Sequence, residues 1–240
     1  MCGRFTLSCD QAELIERFQV DDVFMETALT PRFNIAPSQS VAAVVALSKD
    51  GKRVLTSFQW GLIPFFVKEP AKARPMINAR AETLAEKPFF KTALLRRRCL
   101  IPADGFYEWR TVPGTKKKQP LWIHLKGESS ERAPLFAFAG LYDKNEHILN
   151  AAGEPVKTCT IITTEANESI KPVHDRMPVI LGAEGITLWL DPSVQDPAQL
   201  SAILQPLPAN VITMFPVSTR VNSPSYDGKD LILPDPTESQ

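Results

Sequence analysis

Val41-Ala42-Ala43-Val44-Val45-Ala46-Leu47 and Arg53-Val54-Leu55-Thr56-Ser57-Phe58-Gln59-Trp60 are two runs separated by Ser48-Lys49-Asp50-Gly51-Lys52. Both runs are rich in β-branched and aromatic residues, which fit a pleated, half-buried surface, and the Asp-Gly pair suits a tight reversal. The stretch therefore predicts an antiparallel hairpin. Working outward, similar runs predict strands at Cys99–Ala103, Phe106–Arg110, Pro120–Leu125, Leu135–Leu141, Lys157–Thr164, Pro178–Leu181 and Val211–Pro216. Helical spacing marks residues 10–19, where Asp10 and Glu13 form a capping box ahead of Leu14, Ile15 and Phe18. It also marks Ala79–Glu86, Phe89–Arg98 with Pro88 between them, Glu184–Leu190 and Ala198–Leu204. Strand runs interrupted by helices without regular alternation predict an α+β fold. The expected form is a single compact domain over residues 1–233, with short, mainly antiparallel strands in a barrel-like core, short flanking helices and a disordered tail over 234–240.

Composition narrows the function classes. The 240 residues carry 27 Lys+Arg and 27 Asp+Glu, so a uniformly basic, nucleic-acid-coating surface is excluded and any DNA contact has to come from a local patch. No apolar run approaches the ~20 residues of a bilayer span. An export signal is also missing from the start, where Arg4, Asp10, Glu13 and Glu16 interrupt any apolar stretch. A soluble, cytoplasmic monomer without metal or cofactor is expected, because Cys2, Cys9, Cys99 and Cys159 have neither zinc-site spacing nor disulfide density. Cys9, Cys99 and Cys159 read as ordinary buried thiols.

Cys2 is the most informative residue. Loss of Met1 would leave a free α-amine beside its thiol, with ordinary pKa values of about 8 and about 8.5, so both nucleophiles are expected to be partly available at neutral pH. With an aldehyde the amine forms an imine, and the thiol closes on it to give a five-membered thiazolidine. The plainer reading is a small residue that happens to stand second.

Further stretches accompany it: Met1-Cys2-Gly3-Arg4-Phe5, Asn34-Ile35-Ala36-Pro37, Trp60-Gly61-Leu62-Ile63-Pro64, Asn78-Ala79-Arg80-Ala81-Glu82-Thr83, Gly105-Phe106-Tyr107-Glu108-Trp109, His174-Asp175-Arg176-Met177-Pro178 and a closing Pro216-Val217-Ser218 through Val221-Asn222. In this order they closely resemble the SRAP (SOS response-associated peptidase) family, whose members shield abasic sites in single-stranded DNA by covalent attachment. The resemblance implies that Cys2 attacks the ring-opened aldehyde at C1′ and that Asn78 hydrogen-bonds the nucleophile or the sugar. The alternative for Asn78 is a cap on a helix beginning at Ala79. Strand alternation turns Glu108 to the same face as Phe106, where burial would raise its pKa and suit it to proton exchange; otherwise it is a solvated carboxylate. His174 would pass a proton to or from the sugar oxygen, or else pack under Pro178.

Arg4, Arg80 and Arg176 each lie within two residues of a proposed catalytic position, so a fold that gathers the chemistry also gathers three guanidiniums suited to phosphate. The resemblance adds a backbone contact at Thr163, with Pro37 and the Phe65-Phe66 pair separating bases where paired tryptophans are common in the family. Core packing is the alternative for those rings. Arg96-Arg97-Arg98 and Lys116-Lys117-Lys118 read as solvated surface. Self-removal of Met1 and a β-elimination lyase activity are chemically open. Two other classes remain in view: an N-terminal-nucleophile glutamine amidohydrolase, which shares a Met-Cys-Gly opening, and a thiol peptidase using Cys2, His174 and Asn78.

Overall fold

The computed structural model describes residues 2–25, 27–47, 51–127 and 133–236. In chain order the elements are β1 (Phe5–Leu7), α1 (Gln11–Phe18), β2 (Asp22–Phe24), β3 (Arg32–Ile35), β4 (Ser40–Ala46), β5 (Arg53–Trp60), β6 (Asn78–Arg80), α2 (Pro88–Arg96), β7 (Arg98–Ala103), β8 (Gly105–Thr111), β9 (Lys118–Leu125), β10 (Phe136–Leu149), β11 (Pro155–Glu165), β12 (Arg176–Pro178), α3 (Ala183–Leu190), α4 (Pro197–Ala202) and β13 (Ile212–Pro216).

The expected hairpin pairs β4 with β5 from Ser40↔Gln59 to Ala46↔Arg53; its turn residues 48–50 lie outside the described residues. From β5 the sheet continues through β4, β7, β10 and β11, and β11 pairs back on β5 in parallel, closing a five-stranded barrel. A second sheet runs β13-β9-β8-β1-β3. The fold is thus α+β, with mixed, mainly antiparallel strands around a barrel-like core. Phe5, Trp60, Phe106 and Phe138 interlock edge-to-face within the main hydrophobic cluster.

Helix α1 begins on the expected capping box, with Asp10 accepting from the Glu13 N–H and Glu13 from the Asp10 N–H. The expected helix over Ala79–Glu86 is overturned: 78–80 is strand β6, paired in parallel with β11, and only Ala81–Thr83 forms a short 3₁₀ turn. Pairing with a buried strand outweighs the helix propensity of Ala, Glu and Leu there. Pro88 opens α2 at its first turn, where its missing N–H costs nothing. The strand expected at Pro178–Leu181 lies earlier, at Arg176–Pro178, leaving an isolated bridge at Ile180. In the tail the Asp235 N–H donates to the Pro216 carbonyl at 2.9 Å; 237–240 lie outside the described residues. No helix among the described residues is long and apolar enough to cross a membrane.

Candidate active site

The site is built around the start of β1. That strand is central in its sheet, pairing Phe5 with Ile35 on one side and with Phe106 on the other, and the Arg4 carbonyl accepts the Tyr107 N–H at 3.0 Å. The Arg4 guanidinium donates to Asn34 Oδ1 at 2.8 Å, the Val221 carbonyl at 2.6 Å and the Asn222 carbonyl at 3.3 Å. Arg4 therefore ties the chain's start to its C-terminal segment. These bonds occupy the guanidinium that the sequence reading assigns to phosphate.

Cys2, anchored this way, is fully buried, and its Sγ lies 3.8 Å from the Arg4 carbonyl. Burial pushes the thiol well above its ordinary pKa, and the Glu108 carboxylate pushes it further. This direction holds for the chain that carries Met1, whereas the expectation of a partly available thiolate concerns the chain without it. Met1 itself lies outside the described residues.

Asn78 is set at the start of β6 by its pairing with Ile161. Its Nδ2 donates to the Cys2 carbonyl at 3.0 Å, and its Oδ1 is buried without a hydrogen-bond partner among the described residues. It caps no helix, since the backbone after it is a strand.

Glu108 is 4% exposed. Strand β8 alternates as expected, but both its faces are covered: Phe106 joins the main core, while Tyr107 joins a separate cluster with Trp122, Val217, Val221 and Leu231. Burial raises the Glu108 pKa and the nearby His174 partly opposes that rise, so the carboxyl lies within electrostatic reach of both the thiol and the imidazole.

His174 ends the turn before β12. Its Nδ1 stands 2.9 Å from the Arg176 backbone nitrogen and 2.8 Å from Asp175 Oδ1. Among the described residues no three His, Cys, Asp or Glu side chains gather as a metal site.

The residues expected on DNA divide into two groups. Arg176 is 8% exposed, forks onto both oxygens of Glu82 at 2.8 and 2.9 Å and donates to the Thr163 carbonyl at 2.7 Å. The Thr163 side chain is fully buried, and its hydroxyl donates to the Ala79 carbonyl at 3.4 Å. As placed, neither side chain presents a free group to a phosphate; both brace β12 and β6. Arg80, in contrast, is exposed and lines a cavity of about 330 Å³ with Lys171, Glu165, Asp175 and Arg176, beside His174. Lys171 carries no local signal that would have marked it.

Phe65 and Phe66 are exposed, so they are not core. Pro37 is half-buried in the turn before β4, next to Ser38, whose N–H donates to the Trp60 carbonyl at 2.8 Å. Arg98 of the supposed surface triplet is buried, with its guanidinium on the carbonyls of Leu94, Leu95, Trp189 and Asp191.

Fold and site together define a barrel-cored α+β protein whose second residue, a cysteine, is buried beside an amide and a carboxyl from two distant parts of the chain, with an imidazole from a third near that carboxyl. Residues 1–224 match the family described as SOS response associated peptidase (SRAP), and the chain belongs to that family. It is 44% identical over 232 residues to the abasic site processing protein YoqW of Bacillus subtilis (strain 168), covering 97% of this chain and 99% of that one. It is 32% identical over 267 residues to the abasic site processing protein HMCES of Gallus gallus, covering 98% and 78% of the two chains. A crystal structure of a protein from Bacteroides thetaiotaomicron superposes with a TM-score of 0.81 at 25% identity, covering 98% of this chain and all of that one.

Proposed function

We propose that the protein processes abasic sites in DNA and, in single strands, captures the lesion covalently through Cys2 once Met1 has been removed. The observation that carries this reading is the burial of Cys2 between Asn78 and Glu108, with His174 within electrostatic reach of that carboxyl. An ordinary thiol nucleophile is activated by lowering its pKa, whereas this one is held protonated. That arrangement favours a mechanism in which the amine reacts first and the thiol second.

The abasic sugar opens when a proton reaches its ring oxygen, a step suited to His174. The Cys2 α-amine then adds to the C1′ aldehyde. The Glu108 carboxyl protonates the resulting hydroxyl, which leaves as water; the nitrogen's proton then returns to the Glu108 carboxylate and an imine remains. The Cys2 sulfur adds to the imine carbon, its proton passes to the nitrogen, and a thiazolidine closes. The sum is amine, thiol and aldehyde giving one ring and one water. Asn78 Oδ1 is placed to accept from an N–H at the amine while its Nδ2 holds the Cys2 carbonyl. Arg80 and Lys171 supply cations for the adjoining backbone.

Incubation with an abasic single-stranded oligonucleotide should give a denaturation-resistant, slowly migrating band. Ammonia release from glutamine with no such band would instead support the amidohydrolase. Cleavage of an unrelated peptide, lost in Cys2→Ser, would support a thiol peptidase.

A further inference from the structure

Cys2 reacts, on the reading above, as the first residue of the processed chain, and a chain end frays unless other groups tie it down. Strand β1 reaches back only to Phe5, three residues short of it. Hydrogen bonds from other parts of the chain cover that gap. The Cys2 carbonyl accepts from Asn78 Nδ2, and the Arg4 guanidinium is fixed to Asn34 Oδ1 and to the carbonyls of Val221 and Asn222.

Asn34 is the group on which these ties converge. It lies fully buried on β3, one residue before the Ile35 that pairs with Phe5. Its Oδ1 accepts from Arg4, while its Nδ2 shares its hydrogens among the carbonyls of Val221, Ser223 and Tyr226, at 3.2, 2.9 and 2.7 Å. The amide's orientation is fixed, because turned over it would set its oxygen against three carbonyl oxygens and its N–H groups against a cation. One buried side chain thus clasps the start of the chain with its oxygen and the closing segment with its nitrogen. That segment is also tied to β8 on both sides of Glu108. The Tyr107 hydroxyl donates to the Phe33 carbonyl at 2.8 Å and the Leu231 carbonyl at 3.3 Å, and Trp109 Nε1 donates to Asn222 Oδ1 at 2.8 Å.

We propose that Asn34 is a positioning residue for Cys2: by joining Arg4 to segment 221–226, it holds the nitrogen and sulfur of the chain's first residue in place beside Asn78 and Glu108. The proposal rests on the reading that Cys2 captures an abasic sugar. Amine addition needs one contact with C1′, whereas ring closure needs the sulfur brought to the same carbon before the imine is lost. The imine has a second fate. Loss of a C2′ proton to solvent expels the 3′ phosphate with the C3′–O electron pair and cuts the strand, and water afterwards frees the amine. A fixed Cys2 favours closure; a loose one leaves the imine open to cutting.

The test uses the full chain freed of Met1 and a saturating single-stranded oligonucleotide, labelled at its 5′ end and carrying one abasic site. Wild type should give mainly the denaturation-resistant joined species. In Asn34→Ala joining should slow about tenfold, and the ratio of cut to joined strand should rise at least about threefold. Binding of an oligonucleotide with a tetrahydrofuran analogue, which has no aldehyde, should stay within about twofold, because the charges that meet the strand are unaltered. The ratio is read per reacting molecule, so a smaller folded fraction does not move it. Arg4→Lys should reproduce both shifts, since an ammonium keeps the charge but loses the guanidinium's directed fork; it also carries the test should Asn34→Ala not fold. Asn34→Ala added to Arg4→Lys should change the ratio by less than about twofold more, because both act through one clasp.

An unchanged ratio in the folded variants would overturn the proposal and leave Asn34 a purely structural residue. Analogue binding that falls as far as the rate would also overturn it and assign the effect to DNA contact, and effects that multiply in the combined variant would report general damage. Failure of the covalent reading looks different: wild type binds the analogue yet yields neither joined nor cut strand from a natural abasic site.

Discussion

Asp104 and Glu108 flank Gly105-Phe106-Tyr107, one just before β8 and one within it, and both are buried acids, 3% and 4% exposed. Around Asp104 every neighbour is fixed. Its oxygens accept from Thr6 Oγ1 at 2.5 Å, Ser8 N at 2.6 Å and Ser8 Oγ at 2.5 Å. Close by, Trp122 lies against Gly105 so tightly that a Cβ there would fall 2.2 Å from Nε1. Around Glu108 the neighbours are a thiol and an imidazole, groups that themselves exchange protons. A cavity of about 990 Å³ opens at the Asp104 end beside Trp122, His124 and Phe215, and its lining includes none of Cys2, Asn78, Glu108 or His174. Neither burial nor cavity size therefore marks the reacting end; what distinguishes the two acids is whether the partners of each are saturated or titratable.

Four outcomes would sharpen or break that contrast. The largest effect belongs to Cys2→Ala, which should slow adduct formation by at least about a thousandfold in a denaturing gel assay while changing stability by less than about 1 kcal/mol. An undiminished adduct would remove Cys2 from the chemistry.

Next, Glu108→Gln should slow adduct formation about a hundredfold with stability kept, whereas Asp104→Ala should leave the rate per folded molecule intact and cost about 3 kcal/mol in denaturant unfolding. If both substitutions change the same quantity, the two ends do not differ as described.

The third outcome is a pH dependence. Because the Glu108 pKa is raised in the folded state, the folded protein holds its proton longer than the unfolded chain does. Its contribution to stability is full below the ordinary carboxylate value of 4.5 and is lost as pH rises through the raised one. Unfolding free energy across that window should fall in wild type and be flatter in Glu108→Gln.

The smallest effect separates two arginines of the site. Arg80→Ala should weaken DNA binding several-fold and reduce the salt slope by about 0.7, while Arg176→Ala should cost about 2 kcal/mol of stability by stripping Glu82 and the Thr163 carbonyl of their partner. An unchanged salt slope in Arg80→Ala would take Arg80 off the backbone track.

Local signals made part of this legible. The β4–β5 hairpin, the capping box of α1 and the inward turn of Glu108 follow from alternation and capping within a few residues, and Cys2 is marked by its position in the chain. Other features depend on groups far apart in sequence. Strand β6 is three residues long and exists because β11 lies beside it, so its own residues read as helix. Arg4 and Arg176 also make bonds to Asn34, Val221 and Glu82 that nothing local announces. The bonds from Asn145 to the Pro64 and Val67 carbonyls reach across 81 and 78 residues, and one asparagine in a strand gives no hint of them.

The central claim is tested most directly by the intact mass of the purified protein after mixing with an abasic single-stranded oligonucleotide. The account predicts a species equal to the chain without Met1 plus the oligonucleotide less one water, absent in Cys2→Ala. A joined species that still carries Met1, or only unjoined protein and DNA, would contradict it.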